Sequence, residues 1–403
     1  MSLKTQSHLF GSTSSLGAAS SLLPTALSRE MSRDRLAGEA AKLKKPKLSS
    51  LSNLVSQRDS SATGQLAPRP GIPLKASSEV YSVKFSLNDE YIASGLGDSK
   101  ILIISTQTGE PLNLLTPTTL DTYLPCTSLA FRPDSNAYKN KNVLAAAYAS
   151  GHIIHWHTTS NQIISTIDEG DHQTQCVVYN NAGTKFATGG SDCNVRVYDG
   201  VQMKEVVKMN TGTGGAIPET AGHSNRIFTV KFHPTSPHIL YSGGWDNTIQ
   251  IWDTRSQKSI RSIYGPHICG DALDLLPNSD LLLTGSYRKD SPLQLWSFDE
   301  GRVVETLAWT LPETPGEAVP GSFLYSASFS KSGKYVLAAG GMMNQVKLFS
   351  LALKRPVGMV VNLPATVYSA AISYKEKTVA FGGADGGLWI YDVDTNGLTD
   401  FVY

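Results

Sequence analysis

The sequence predicts an all-β protein of seven repeats, each holding four short strands, behind a disordered basic N-terminal segment. Three observations predict it. Gly accounts for 35 of 403 residues and charged residues for only 17%, a composition that suits many short elements joined by turns and disfavours long charged helices. From Glu79 onward, short runs alternate apolar and polar positions between Gly, Asn, Asp or Pro, as half-buried strands do. These runs recur at a nearly constant interval, the mark of a repeat architecture.

The first element is residues 1–78, with eleven Lys or Arg against four acids, a balance of +7 that leaves residues 79–403 at −6. The segment is rich in Ser, Ala, Leu, Gly and Pro and has no Trp, Tyr or Cys, so it offers few large groups to offset the entropy of ordering. Within it, Ser28 to Lys45 would form a helix when bound: Ser28 caps it, and Met31, Leu36, Ala40 and Leu43 fall on one side. Lys44, Lys45 and Lys47 form a basic cluster that reads as a nuclear-import signal or as a contact for RNA or microtubules.

The repeats follow. Val80 to Phe85 shares its apolar spacing with Ile227 to Phe232, Leu324 to Phe329 and Val367 to Ile372. A second signature follows each of these: a small residue or Gly-Gly, then Asp, then an apolar or aromatic residue six positions later. Asp98 precedes Ile104, Asp192 precedes Tyr198, Asp246 precedes Trp252, Asp290 precedes Trp296 and Asp385 precedes Tyr391. Ser150 to Trp156 and Met343 to Phe349 keep the spacing without the acid. The seven end points are 42 to 54 residues apart, a period that accommodates four strands per unit.

The fourth repeat carries Gly222-His223 and then Ser242-Gly243-Gly244-Trp245-Asp246, ending at Trp252-Asp253. This resembles the WD-repeat β-propeller family. The resemblance implies a seven-bladed β-propeller over residues 79–403 in which His223, Ser242, Asp246 and Trp252 form a buried hydrogen-bond chain. Such a chain satisfies a carboxylate beside a strand turn with imidazole, hydroxyl and indole donors. The third repeat keeps His172, Thr188 and Asp192 with Tyr198 in place of Trp, and the fifth keeps His267, Thr284 and Trp296. In this family the N-terminus commonly supplies the outer strand of the last blade. Here Gly397 to Tyr403 is a second candidate, and Pro68, Pro70 and Pro73 argue against a strand before Glu79.

Chemistry is mostly excluded. Neither a Gly-x-Ser-x-Gly elbow nor a Walker phosphate loop is present, and Gly212 to Gly215 lacks the flanking strand and helix of a phosphate cradle. His155 and His157 share one side of a strand without a third metal ligand nearby in sequence. The repeated spacing makes His223, Ser242 and Asp246 structural rather than a hydrolase triad. Cys126, Cys176, Cys193 and Cys269 are too few and too dispersed for a disulfide framework, which fits a reducing cytosol or nucleus. No apolar run reaches the ~18 residues of a membrane helix, and the N-terminus lacks the h-region of a secretion signal.

Binding is the function these residues support. Tyr81, Phe228, Tyr325 and Tyr368 share one repeat position at the start of a strand, with Arg226 and Trp245 nearby. The resemblance implies that this position surrounds the mouth of the central channel, where clustered aromatics and Arg make an interaction hot spot. Thr127, Gln175 and Asp271 hold the position in the other repeats, a single acid, which gives little support to the alternative of an enzyme or small-molecule site in the channel. The expectation is therefore a non-enzymatic scaffold, without cofactor or metal, that presents protein- or peptide-binding faces inside a larger assembly. Its localisation is cytoplasmic, nuclear or both. A ubiquitin-ligase substrate receptor, a ciliary or cytoskeletal assembly factor and a chromatin or RNA-processing subunit all stay open. Direct nucleic-acid contact is disfavoured except through the tail, because the rest of the chain is acidic. The connections Thr211 to Ala221 and Leu311 to Gly321 are long enough to carry specificity.

Overall fold

A computed structural model describes residues 66–68, 73–134, 141–210, 222–310 and 321–393. The helix expected at Ser28 to Lys45, the Lys44, Lys45 and Lys47 cluster, Gly212 to Gly215 and Gly397 to Tyr403 lie outside the described residues, as do nearly all of the two long connections. Every described regular element is a strand, and the strands form seven antiparallel sheets. Each sheet is a blade whose strands are named a to d from the channel outward.

Strand a spans Val80–Phe85, Cys126–Phe131, Thr174–Tyr179, Ile227–Phe232, Leu273–Leu275, Leu324–Phe329 and Val367–Ile372 in blades one to seven. In blade four, strands b, c and d are Ile239–Gly244, Thr248–Asp253 and Lys258–Tyr264. The two-residue period is modified by burial: strand c of blade four is buried at every position, because neighbouring blades cover both of its faces. Outer strands revert to alternation, as in Gln162–Asp168.

The Gly-Gly signature at the end of strand b has a steric cause. A Cβ at Gly243 would lie 2.8 Å from Ile268, on the chain leading into blade five, and one at Gly244 would lie 2.5 Å from the Arg226 carbonyl. Only glycine leaves room for the Ile268 side chain at the first position and for the Arg226 backbone at the second.

Blade seven shows how the ring is closed. Its strands a, b and c are Val367–Ile372, Thr378–Gly383 and Gly387–Val393, and its outer edge comes from the N-terminal side of the chain. Leu66–Pro68 pairs with Val393 to Tyr391, and Leu74–Lys75 pairs with Leu388 and Gly387. The paired backbone thus begins ahead of Glu79, and the latch is the N-terminal one. The prolines that argued against a strand are accommodated: Pro68 sits on an outermost strand, where a missing N–H breaks no ladder on the inner side. Leu66, only 7% exposed, joins the buried cluster that includes Leu337, Leu348 and Val357 of blade six.

Neighbouring inner strands are stitched by side chains. The Ser326 hydroxyl accepts the Ala370 N–H (3.2 Å), Ser369 accepts Val83 N–H (2.9 Å), Ser82 accepts Leu129 N–H (3.2 Å) and Ser128 accepts Val177 N–H (3.3 Å). Each blade from six through two thereby holds the next at the same height.

Candidate functional site: an aromatic arc on one face

Strand a carries a β-bulge after its first residue in six blades, marked by the register shifts at Val80/Ser82, Cys126/Ser128, Thr174/Cys176, Ile227/Thr229, Leu324/Ser326 and Val367/Ser369. A bulge leaves one residue out of the ladder and re-aims its side chain. The residues so placed are Tyr81, Thr127, Gln175, Phe228, Tyr325 and Tyr368.

Five blades contribute to a continuous aromatic arc. Tyr81 stacks on Tyr368 with ring centroids 5.4 Å apart, Tyr368 meets Tyr325 edge-on at 5.3 Å, and Tyr325 meets Tyr287 at 5.3 Å. Tyr287 stacks on Phe323 at 4.4 Å and approaches His267 at 6.4 Å; His267 lies parallel to Trp245 at 6.3 Å, and Trp245 contacts Phe228 at 5.2 Å. The Arg226 guanidinium stands 5.7 Å from the Trp245 ring centre. Blades two and three interrupt the arc with polar groups: the Thr127 hydroxyl donates to Thr174 O (2.7 Å), and the Gln175 amide donates to Gln173 Oε1 (3.2 Å).

Burial separates presenting residues from supporting ones. Arg226 and Phe228 are each only 8% exposed, whereas Tyr81, Trp245, Tyr287, Tyr325 and Tyr368 are half-buried. Arg226 and Phe228 therefore brace Trp245, which also donates its indole N–H to Cys269 Sγ (2.6 Å). Burial pushes the Cys269 thiol up to about 12, so it stays protonated. Burial likewise raises the Tyr325 and Tyr368 hydroxyls, keeping this part of the arc uncharged.

Tyr287 and Phe323 go unnoticed in the sequence, which places His267 in a turn network rather than on this face. The three come from the b–c turn of blade five and from the segments leading into strand a of blades six and five. There the backbone keeps the repeat register (Tyr287 N–H donates to His267 O as Trp245 N–H does to Arg226 O) while the side chains vary from blade to blade. Tyr287 and Phe323 form an isolated antiparallel bridge that fixes both rings.

Beneath this face lie the turn networks. In blade four, His223 donates Nδ1–H to Asp246 Oδ2 (2.8 Å), Ser242 donates O–H to His223 Nε2 (2.7 Å) and Trp252 donates its indole N–H to Ser242 Oγ (2.7 Å). Ser224 N–H and Thr248 O–H complete the shell of Asp246. Burial would raise the Asp246 pKa, but these donors, His223 foremost, hold it below the ordinary carboxylate value.

Blade three is built differently. His172, Thr188 and Tyr198 converge on Glu169 rather than on Asp192. Glu169 accepts from Thr188 (2.5 Å), Tyr198 (2.6 Å), Thr174 (2.7 Å) and His172 (3.3 Å). Asp192 instead takes Arg196 and Asn194, and His172 lies 3.9 Å from it. In blade five, Trp296 donates to Thr284 (3.0 Å), while His267 turns to Asn247 of blade four (2.7 Å).

The two histidines considered as a metal pair are each tied to a hydroxyl. His155, fully buried, contacts Ser165 Oγ (3.1 Å), and burial lowers its pKa to about 3; His157 contacts Ser160 Oγ (2.7 Å). Inside the channel, Asp271 binds Lys231 (2.7 Å) from blade four and Lys84 from blade one, with Thr229 at 3.3 Å. Its carboxylate is thus neutralised from two sides.

The geometry defines a class: a closed ring of four-stranded blades with a His–Ser–Asp–Trp network in its best-formed repeat. The profile described as "WD domain, G-beta repeat" matches residues 72–105, 161–199 and 216–253. The chain belongs to the WD-repeat β-propeller family. The first two matches begin in an outer strand of one blade and run into the next, and in the first of them Leu74–Lys75 pairs with Gly387–Val393 of blade seven.

Among similar proteins, periodic tryptophan protein 2 homolog of Dictyostelium discoideum is 24% identical over 62% of this chain and 25% of its own length. Pre-mRNA-processing factor 19 of Mus musculus is 28% identical over 41% of this chain and 29% of its own. Serine-threonine kinase receptor-associated protein of Gallus gallus is 23% identical over 54% of this chain and 53% of its own. The chain thus spans a quarter to about half the length of these relatives.

Proposed function

We propose that this protein is a non-enzymatic scaffold that holds a segment of a partner protein against the aromatic arc within a larger assembly. The observation that supports the reading is the arc itself: half-buried rings from consecutive blades, aimed by a repeated bulge and braced by Arg226 and Phe228. Large rigid rings with few rotors lose little entropy on binding, which is why hot spots favour them. The polar gap at Thr127 and Gln175 gives the face one apolar and one polar side, so a bound segment has a preferred direction.

Similarity to proteins named for pre-mRNA processing and to a U3 small nucleolar RNA-associated protein 21 homolog supports a role in nuclear assemblies. Lys44, Lys45 and Lys47 supply the matching address. A reporter fused to residues 1–78 is expected to concentrate in the nucleus and to lose that concentration when the three lysines become Ala; even distribution of the unaltered fusion would remove the import reading.

The main test is affinity purification with Tyr325→Ala/Tyr368→Ala beside the unaltered chain. Loss of the co-purifying proteins with a melting temperature within a few degrees of the parent is the expected result. An unchanged set of partners would discard the arc as the contact surface.

A further inference from the structure

We infer, on the reading that the arc is the contact surface, that the corner formed by Tyr368 and Tyr325 beside Glu79 takes an arginine side chain of the partner segment. The shape of the rings is the first support. Tyr325 stands edge-on to Tyr368 (5.3 Å, 74°) and to Tyr287 (5.3 Å, 67°), while Tyr81 backs Tyr368 at 5.4 Å. A hydrogen bond between the Tyr325 and Tyr287 hydroxyls fixes the corner. The faces of such rings are electronegative, and a planar guanidinium stacks on one while its N–H groups stay free to donate at the edge.

A carboxylate at the same corner is the second. Glu79, half-buried, immediately precedes strand a of blade one. A Cβ at Gly97 would lie 2.9 Å from Glu79 Oε2 and 3.3 Å from Tyr81 Cε2, so the carboxylate stands near the edge of the ring that backs Tyr368. Its charge reaches across the stack: burial raises the Tyr368 hydroxyl, and Glu79 raises it further. Among the described residues the Glu79 carboxylate has no ion pair.

The other charges around the corner leave that carboxylate in excess. On blade one, Asp98 is paired with Lys100 (2.7 Å). At the edge of blade seven, Lys75 donates to the Asp385 carbonyl, and the Asp385 carboxylate keeps its charge while accepting Gly387 N–H (3.0 Å), so these two groups offset each other. The b–c turn of blade six, residues 341–344, is uncharged. Blade five adds Arg288 and Lys289 against Asp290, but the Arg288 guanidinium is turned to Gly265 O, Ser291 O and the Gln294 amide oxygen. Over the whole face, the described d–a connections and b–c turns carry nine carboxylates outside the channel against four Lys or Arg. Arg226 stands at the far end of the arc beside Trp245, which leaves the Glu79 end as the place where a cation is attracted.

The test selects binders of the full chain from a random heptapeptide library and measures the leading peptide by fluorescence anisotropy. Peptides that need the arc, and are lost with Tyr325→Ala/Tyr368→Ala, are expected to share an arginine. Replacing that arginine by citrulline keeps the shape, removes the charge and should weaken binding about tenfold or more. Glu79→Gln should weaken the arginine peptide several-fold and leave the citrulline peptide unaffected, whereas Asp171→Asn on blade three should change neither. The citrulline peptide carries the test by itself if Glu79→Gln fails to fold. Arc-dependent peptides without an arginine, equal binding of the citrulline peptide, or a loss in Asp171→Asn as large as in Glu79→Gln would overturn the arginine subsite and leave the arc as a contact surface. Selected peptides that all ignore the arc would remove both.

Discussion

Glu169 collects four donors on a side chain that is 1% exposed, which makes it the most consequential single group in blade three. Glu169→Gln keeps the shape but turns an amide N–H toward hydroxyls that are themselves donating. A buried donor set left without its acceptor costs about 3 kcal/mol, measurable by urea unfolding. Asp192→Asn, at a side chain 22% exposed, should cost much less. The pH dependence has a definite sign. Burial would raise the Glu169 pKa, yet the four donors hold it below its ordinary value. Its contribution is therefore complete above the unfolded carboxylate pKa of about 4.3 and is lost as pH falls through the folded value. The gap between parent and Glu169→Gln should close on acidification. The blade-four network was legible because all four of its residues sit at family positions. Glu169 was not, since it occupies no motif position and only its placement three residues before His172 hinted at a contact.

The latch is the element that the sequence concealed. Three prolines spoke against a strand, and the structure resolves the conflict by using two short pieces, Leu66–Pro68 and Leu74–Lys75, on either side of the other two prolines. The family resemblance offered this arrangement beside Gly397 to Tyr403 without choosing between them. An N-terminal repeat whose first strand is d rather than a must lend it to the last blade. Deleting residues 1–60 should leave the melting temperature unchanged, whereas deleting residues 1–78 exposes the edge of Gly387–Val393 and empties the slot filled by Leu66. Leu66→Ala alone should cost about 2–3 kcal/mol, as loss of a buried leucine does. A melting curve for the longer deletion that overlays the parent would show that the ring closes without the latch. The aromatic arc was half legible for a different reason: an aromatic ring recurs at four bulge positions, while at the positions of Tyr287, Phe323 and His267 the backbone bond recurs but the side chain varies from blade to blade.

At the scale of the whole molecule, the blades are held together across the channel as well as around it. Asp271 of blade five binds Lys84 of blade one and Lys231 of blade four, while its backbone carbonyl accepts the Ala327 N–H of blade six (3.1 Å). Four blades therefore meet at one residue, a convergence that no single repeat could announce, because each partner occupies an unremarkable position in its own strand. Burial alone would raise the Asp271 pKa, but the Lys231 and Lys84 ammonium groups hold it well below the carboxylate range. Burial would lower Lys231, yet Asp271 and Asp274 raise it above its ordinary value. The carboxylate contribution is thus lost only as pH falls through that depressed value, and the lysine contribution only as pH rises through a value above 10.5. Asp271→Asn leaves the Lys84 ammonium group without its carboxylate and Lys231 with Asp274 as its remaining acidic neighbour. With the Asp271 side chain 33% exposed, solvent screening reduces the penalty to about 1–3 kcal/mol. The difference from the parent in urea unfolding should be flat between pH 5 and 10, shrink as salt is added, and diminish in Lys84→Met/Asp271→Asn, where the unpaired ammonium group is gone. A penalty indifferent to both salt and the second substitution would mean that Asp271 acts through packing rather than charge.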